Sequence, residues 1–247
     1  MGRLKSHFPG NKTRIEDTDS AIAYNLWAHS YDDQTGNLML DLDEKIFSWL
    51  LLNTTFKNKV IADVGCGTGR HWKKIWDLRP QALYGFDVSE GMLDKLKSKF
   101  PGANTYKLEH DYLPPLQNQS VDVLISTLTL AHIENIKVAV YEWKRVLKDS
   151  GEIIITDYHP EALARGGKRT FSYNGKTLSV KNFIHSIEKI FDTFQQAGFE
   201  ILELEERLID DSVRHYYEHK NAIHVFEKFK NVPIIYGMRL RKRNVAS

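Results

Sequence analysis

The sequence predicts an α/β protein with a seven-stranded, mostly parallel sheet that helices cover on both faces. Seven short apolar runs are spread along the chain, and segments with the hydrophobic period of helices separate most of them. Most of the runs are continuously apolar, which is typical of parallel strands buried on both faces. The 247 residues, 42% of them hydrophobic, suffice for a single domain of this kind.

The predicted elements follow one another in a regular order up to the fifth strand. Residues 1–18 are polar and are expected to form a loose arm, and residues 19–56 carry two amphipathic helices that predict an N-terminal helical cap. Residues 57–158 hold five strands and form the core of the sheet, and residues 198–247 add the last two. The strands are predicted at residues 60–64, 82–86, 104–108, 121–125, 152–155, 199–208 and 234–240.

The regular alternation stops after the fifth strand. Asn174-Gly175 separates two short runs rich in β-forming residues, and this dipeptide is the strongest local signal for a hairpin. A helical pattern over residues 182–197 follows and ends at Gly198. Residues 159–197 are therefore predicted to form a small hairpin-plus-helix insertion.

Charge and cysteine content restrict the class of protein. The 34 basic and 32 acidic residues leave a net charge of +2, so no overall field favours a nucleic-acid partner. Cys66 is the single cysteine, which excludes an intrachain disulfide and a cysteine-based zinc site, and no metal site is expected. These features favour a reducing, cytoplasmic location. No stretch is apolar over the length of a membrane span. The sequence is compatible with both a monomer and a homodimer.

A glycine-rich turn follows the first apolar strand. Gly65-Cys66-Gly67-Thr68-Gly69 leads from this strand into a helix, and such a turn lets a ligand approach the backbone and the helix N-terminus. A dinucleotide-binding turn needs a third glycine at position 70, where this chain has Arg70. A P-loop would end in Gly-Lys-Ser or Gly-Lys-Thr, which is also absent here. Both phosphate-based interpretations are therefore disfavoured.

Four motifs in this order resemble those of one large enzyme class. The segment 62–69 is similar, almost letter for letter, to the first motif of class I (Rossmann-like) S-adenosylmethionine-dependent methyltransferases. Asp87 ends the second strand, Asp111 and Tyr112 follow the third, and the segment 142–151 resembles the helix and turn before the fifth strand of that family. The resemblance covers roughly residues 20–160 and is closest to the small-molecule methyltransferases.

The resemblance implies a cofactor and a set of residues that bind it. S-adenosylmethionine would be the methyl donor and S-adenosylhomocysteine the product, with residues 57–158 as the cofactor-binding core. Asp87 would take both ribose hydroxyls, a task that suits a carboxylate with two acceptor oxygens. Asp111 would bind the adenine ring. The expected cofactor-binding residues are Tyr31, Asp63, Gly65, Cys66, Gly67, Gly69, Asp87, Val88, Met92, Asp111, Tyr112 and Thr127.

Candidates for chemistry follow the fourth and fifth strands. His132 has the right intrinsic pKa for a general base, although it could instead cap the next helix. Tyr158 and His159 form the second candidate group. We expect these three side chains to line one cavity beneath the insertion, which would act as a lid over the acceptor, because ligands gather at the carboxyl ends of parallel strands.

The function predicted from these patterns is methyl transfer to a small molecule through an oxygen, nitrogen or carbon nucleophile. The loop after the fourth strand lacks the Pro-Pro motif of enzymes that methylate amino groups of nucleic acids. Cytosine-C5 methylation is disfavoured because Cys66 lies within the cofactor loop. A non-catalytic S-adenosylmethionine-binding module and an RNA or protein methyltransferase are the alternatives.

Overall fold

The computed structural model describes residues 17–243, which form ten strands and nine α-helices. The strands are β1 (Asp17–Thr18), β2 (Val60–Val64), β3 (Ala82–Asp87), β4 (Asn104–Lys107), β5 (Val121–Thr127), β6 (Leu147–Tyr158), β7 (Thr170–Tyr173), β8 (Lys176–Val180), β9 (Phe199–Leu208) and β10 (Pro233–Lys242). The α-helices are α1 (Ser20–Trp27), α2 (Leu38–Leu51), α3 (Trp72–Asp77), α4 (Glu90–Lys99), α5 (Ile136–Val146), α6 (Pro160–Ala164), α7 (Ile187–Gln196), α8 (Arg214–Glu218) and α9 (Ile223–Phe229).

Seven strands form one twisted sheet in the order β4-β3-β2-β5-β6-β10-β9. The five strands from β2 to β6 pair in parallel, and β10 is antiparallel to both of its neighbours. This arrangement confirms the predicted α/β fold. The strand order reverses between β2 and β5, and in sheets of this kind the crevice at that point holds the ligand.

Two hydrophobic layers cover the sheet because neighbouring strand residues point to opposite faces. On β6, Ile154 packs into the layer that contains α2, whereas Ile153 and Ile155 pack into the layer that contains α5 and α7. All three isoleucines are fully buried. The continuously apolar strands of the sequence therefore have their physical explanation in burial on both sides.

A second, three-stranded sheet covers one end of the domain in the order β1-β8-β7. Asn174 and Gly175 have φ of +48° and +72°, the backbone of a type I′ turn, as the hairpin prediction requires. The ring of Phe171 stacks on that of Trp27 with 4.7 Å between their centroids. We call α1 together with the β7–β8 hairpin the cover layer.

The structure differs from the sequence prediction in two places around the cover layer. Asp17 and Thr18, assigned to the loose arm, form β1 and pair in parallel with Ser179 and Val180; the rest of the arm lies outside the described residues. Helix α7 begins at Ile187 instead of residue 182, because the chain before it is extended and Ser186 caps the helix. A helical pattern in the sequence does not show where contacts with distant parts of the chain prevent a helix from forming.

Candidate active site

The glycine turn after β2 is held in one conformation by its backbone. The amides of Gly65 and Cys66 both donate to the carbonyl oxygen of Phe86, at 2.7 and 3.0 Å. Gly67 has φ of +52°, a conformation that favours glycine. A Cβ added to Gly67 would meet no protein atom within 4 Å, whereas one added to Gly65 would lie 2.0 Å from the Thr129 hydroxyl oxygen. The space above Gly67 is therefore open.

Asp87 lies directly beside this open space, at the carboxyl end of β3. Its carboxylate accepts hydrogen bonds from the backbone amides of Gly67 and Ser89, both at 2.8 Å. Burial raises the pKa of Asp87 to about 6, and hydrogen bonds from the backbone of Ser89, Gly67 and Val88 oppose that rise. A carboxylate has about four lone-pair positions, so acceptor capacity remains for a ligand.

A large cavity connects the glycine turn with the cover layer. Its volume is about 960 Å³, at the upper end of the range for small-molecule sites. Eight of the twelve residues expected to bind cofactor lie on its wall: Tyr31, Gly65, Gly67, Asp87, Val88, Met92, Asp111 and Thr127. The wall also includes Glu109 and His110, which carried no signal in the sequence. Partial burial raises the pKa of Asp111.

Four of the expected cofactor residues do not line this cavity. Asp63 is buried beneath the glycine turn and accepts a hydrogen bond from the Trp72 indole nitrogen at 2.8 Å. The Cys66 thiol is buried and its pKa is raised by burial, which keeps it protonated. Gly69 faces Leu96, where a Cβ would come within 3.0 Å. Tyr112 is 66% exposed and its ring contributes nothing to the wall.

His132 and Tyr24 face each other on the wall of the same cavity. The Tyr24 hydroxyl lies 2.9 Å from His132 Nε2, and His132 Nδ1 lies 3.0 Å from the carbonyl oxygen of Lys181. A carbonyl oxygen only accepts, so Nδ1 carries the proton and Nε2 accepts from Tyr24. Burial lowers the pKa of His132 to about 4, so the ring is neutral at neutral pH.

The structure separates His132 from the other two catalytic candidates. His159 caps α6 by accepting from the Glu161 amide, and its Nε2 lies 2.9 Å from a Glu206 carboxylate oxygen. Tyr158 is buried, and neither residue lines the large cavity. The expectation that the three share one cavity beneath the insertion is therefore wrong: only His132 reaches the cavity. Strand β6 ends at Tyr158, and the chain turns at His159 into α6.

Arg169 is a buried cation beside the cover layer, and no sequence pattern pointed to it. It directly precedes β7 and is only 4% exposed. Its guanidinium lies among the rings of Tyr24, Trp27 and Tyr31. No motif surrounds it in the sequence, because the aromatic residues that enclose it lie about 140 positions earlier. Only the fold brings the two segments together.

Two further properties concern the described part of the chain alone. Residues 17–243 contain no cluster of three or more His, Cys, Asp or Glu side chains that could hold a metal ion. None of the described helices is both long enough and apolar enough to cross a bilayer.

Comparison with known proteins agrees with this geometry. A model of the methyltransferase domain family matches residues 62–155. Malonyl-[acyl-carrier protein] O-methyltransferase of Hamiltonella defensa is 30% identical over 146 residues, which cover 59% of this chain and 52% of that protein. Ubiquinone/menaquinone biosynthesis C-methyltransferase UbiE of Campylobacter jejuni is 29% identical over 174 residues, covering 60% of this chain and 73% of that protein. The chain thus spans about half the length of the first relative.

A solved structure shares the fold. An S-adenosylmethionine-dependent methyltransferase from Mesorhizobium loti has a TM-score of 0.62 and 18% identity, over 79% of this chain and 96% of that one. Residues 62–155 are therefore a methyltransferase domain, and the resemblance to class I methyltransferases is confirmed. S-adenosylmethionine is the methyl donor of this class, so the predicted cofactor is confirmed with it.

Proposed function

We propose that the protein transfers the methyl group of S-adenosylmethionine to a small-molecule acceptor by direct displacement. The observation that supports this most strongly is one cavity whose wall carries two kinds of group. Gly67 and Asp87 suit the donor, and Tyr24 and His132 are available to the acceptor. A volume of about 960 Å³ suffices for a donor and a small acceptor together.

The donor end fits a nucleoside through two features. The open space above Gly67 lets the cofactor approach the backbone without meeting a Cβ. The buried carboxylate of Asp87 has free acceptor positions for a pair of ribose hydroxyls. Asp111 and Met92 lie on the same wall, where they would contact the adenine ring. Asp63, Cys66 and Gly69 support the turn from below, since they face protein and not the large cavity.

Methyl transfer requires few reactive groups from the protein itself. The cofactor supplies an electrophilic sulfonium methyl group; the acceptor forms a bond to that carbon while the carbon–sulfur bond breaks and its electron pair stays on sulfur. The chain positions the acceptor and excludes water. Where the acceptor nucleophile carries a proton, the Tyr24 hydroxyl can receive it while passing its own proton to His132 Nε2.

The acceptor is proposed to be a small molecule and not a nucleic acid. Residues of α1 line the cavity beside the glycine turn, and the chain has no strong net positive charge that would attract a nucleic acid. Relatives are named for methylation at oxygen and at carbon, so both kinds of nucleophile are candidates. Cys66 cannot serve as a nucleophile, because its thiol is buried and protonated.

The test is a search for labelled products. Purified protein is incubated with methyl-labelled S-adenosylmethionine and fractionated metabolite extracts, and labelled products are identified by mass spectrometry. We expect labelled small molecules with the wild type and none with Asp87→Ala. Binding of S-adenosylhomocysteine without any labelled product would instead support the non-catalytic module, and label on RNA or protein would support the other alternative.

The role of Tyr24 is tested by removing only its hydroxyl. Tyr24→Phe keeps the ring that packs between Trp27 and His132. If the hydroxyl conducts a proton, kcat falls by about 10²–10⁴-fold, while the affinity for S-adenosylhomocysteine stays within about threefold. The exposed Tyr141 provides the control, and Tyr141→Phe should leave both quantities unchanged. An unchanged kcat for Tyr24→Phe would exclude the proton path.

A further inference from the structure

Arg169 differs from the other buried cations of the chain. In the described residues, three Arg or Lys side chains are less than one-tenth exposed: Arg169, Arg239 and Lys242. Arg239 forms ion pairs with Glu152 and Glu203, each at 3.1 Å, and Lys242 forms one at 3.3 Å. Within residues 17–243, no ion pair joins Arg169 to a carboxylate, although the charge of nearby Asp157 favours the guanidinium. A permanent charge is therefore buried without a directly paired carboxylate, which is costly unless a ligand supplies one.

The immediate surroundings of Arg169 are aromatic and neutral. Its guanidinium carbon lies 5.1, 5.6 and 5.8 Å from the ring centroids of Trp27, Tyr31 and Tyr24. Nη2 donates to the Tyr31 hydroxyl at 2.7 Å. Nε is buried and has no hydrogen-bond partner. Nε and Nη2 form one edge of the guanidinium fork, and this is an edge on which a carboxylate binds with two parallel hydrogen bonds.

None of the neighbouring acids pairs directly with this guanidinium. Burial raises the pKa of both Tyr24 and Tyr158, so their hydroxyls stay protonated beside the guanidinium. Asp157 favours the charge of Arg169 electrostatically, but its two carboxylate oxygens accept backbone hydrogen bonds, from the amides of Ala131 at 2.7 Å and Tyr158 at 2.6 Å. The Nε of Arg169 therefore keeps a free donor position.

Two tyrosines lie between Arg169 and the cavity. Tyr24 and Tyr31, whose rings contact the guanidinium, both line the cavity wall, whereas Arg169 itself does not. The guanidinium is held by the neutral hydroxyls of Tyr31 and Tyr158, which an anion would displace because charge-assisted hydrogen bonds are about twice as strong. A carboxylate entering between the two tyrosines would engage Nη2 and Nε together.

We propose that Arg169 binds a carboxylate group of the methyl acceptor, and that the acceptors of this enzyme are small carboxylic acids. The inference rests on the proposed function and names the acceptor class of that same site. The cofactor also carries a carboxylate, on its methionine part, and binding of that group by Arg169 is the competing source of the same chemistry.

The first experiment measures binding without turnover. Wild-type protein saturated with S-adenosylhomocysteine is screened by thermal shift against small mono- and dicarboxylic acids and the matching amides. Acids should raise Tm, the amides should not, and Arg169→Gln should abolish the response. Lys168→Gln is the matched control, because Lys168 is partly exposed and already pairs with Asp17 at 2.8 Å. Equal responses to acids and amides would overturn the proposal without affecting the proposed methyl transfer.

The second experiment separates the two sources of carboxylate. Calorimetry should give Arg169→Gln an affinity for S-adenosylhomocysteine within about threefold of wild type, since 1.4 kcal/mol corresponds to a tenfold change in affinity. A loss of tenfold or more would assign Arg169 to the cofactor and overturn the proposal.

The labelled products provide the third readout. Each product should contain a carboxyl group or its methyl ester, and its formation should depend on Arg169. Arg169→Lys keeps the charge but loses the fork, so we expect a KM for the acid raised at least tenfold with a smaller effect on kcat. Products without any carboxyl or ester group would refute the assignment, while the methyltransferase activity itself would stand.

Discussion

Gly67 and Gly102 form a matched pair for testing where the cofactor lies. Both have positive φ, +52° and +86°, and a Cβ on either would meet no protein atom within 4 Å. Alanine therefore brings the same backbone strain at each position, about 1–2 kcal/mol. For a chain of this length that strain lowers Tm by about 2–8 °C. Of these two glycines, Gly67 lines the large cavity and Gly102 does not.

The two variants should consequently differ in binding and not in stability. The methyl group in Gly67→Ala projects into the space that the cofactor would occupy, and we expect at least a tenfold higher Kd for S-adenosylhomocysteine, or about 1.4 kcal/mol. Gly102→Ala should bind with wild-type affinity. Calorimetry and thermal unfolding measure both quantities on the same samples. Equal affinities for the two variants would refute the inference that the ligand contacts the backbone at Gly67.

Three further predictions address buried carboxylates. Asp87→Asn should weaken binding of S-adenosylhomocysteine, measured by calorimetry, by at least tenfold, because hydrogen bonds to a charged group contribute about 1.5–3 kcal/mol each. Asp122→Asn is the control, because the carboxylate of Asp122 accepts from a backbone amide away from the cavity. The pKa of Asp87 is raised to about 6, so its acceptor form is complete above neutral pH and lost on acidification. Kd should therefore rise about tenfold from pH 7 to pH 5 in the wild type and stay level in Asp87→Asn. Trp72→Phe removes the donor to buried Asp63 and should cost about 1–3 kcal/mol in urea unfolding, whereas the partly exposed Trp76→Phe should cost less.

The donor end of the site could be predicted from the sequence because its determinants are local. Gly65, Gly67 and Asp87 stand at fixed offsets from strand ends, and the carboxyl ends of parallel strands meet at one edge of a sheet. The prediction of the hairpin at Asn174-Gly175 rested on the same kind of signal, since a type I′ turn needs positive φ at two consecutive residues.

The acceptor end depends on contacts that no local pattern encodes. Arg169 meets Tyr24 and Tyr31 because the β7–β8 hairpin packs against α1 and pairs with β1. His159 stands next to Tyr158 in sequence, yet the turn into α6 directs it towards Glu206 and away from the cavity. Sequence proximity to a strand end thus identifies a neighbourhood and not the direction of a side chain.

The pairing of β1 with β8 also bears on the order in which the molecule folds. Asp17 pairs with Ser179 across more than half of the chain, whereas β2 pairs with β3 across about 22 residues. Closing the longer loop costs more chain entropy, so the parallel core can form first and the cover layer close on it afterwards. When the folded molecule opens, we expect the cover layer to separate before the parallel core does. Within residues 17–243, no strand of the cover layer pairs with the large sheet, so we expect this layer to open at a free energy below that of global unfolding.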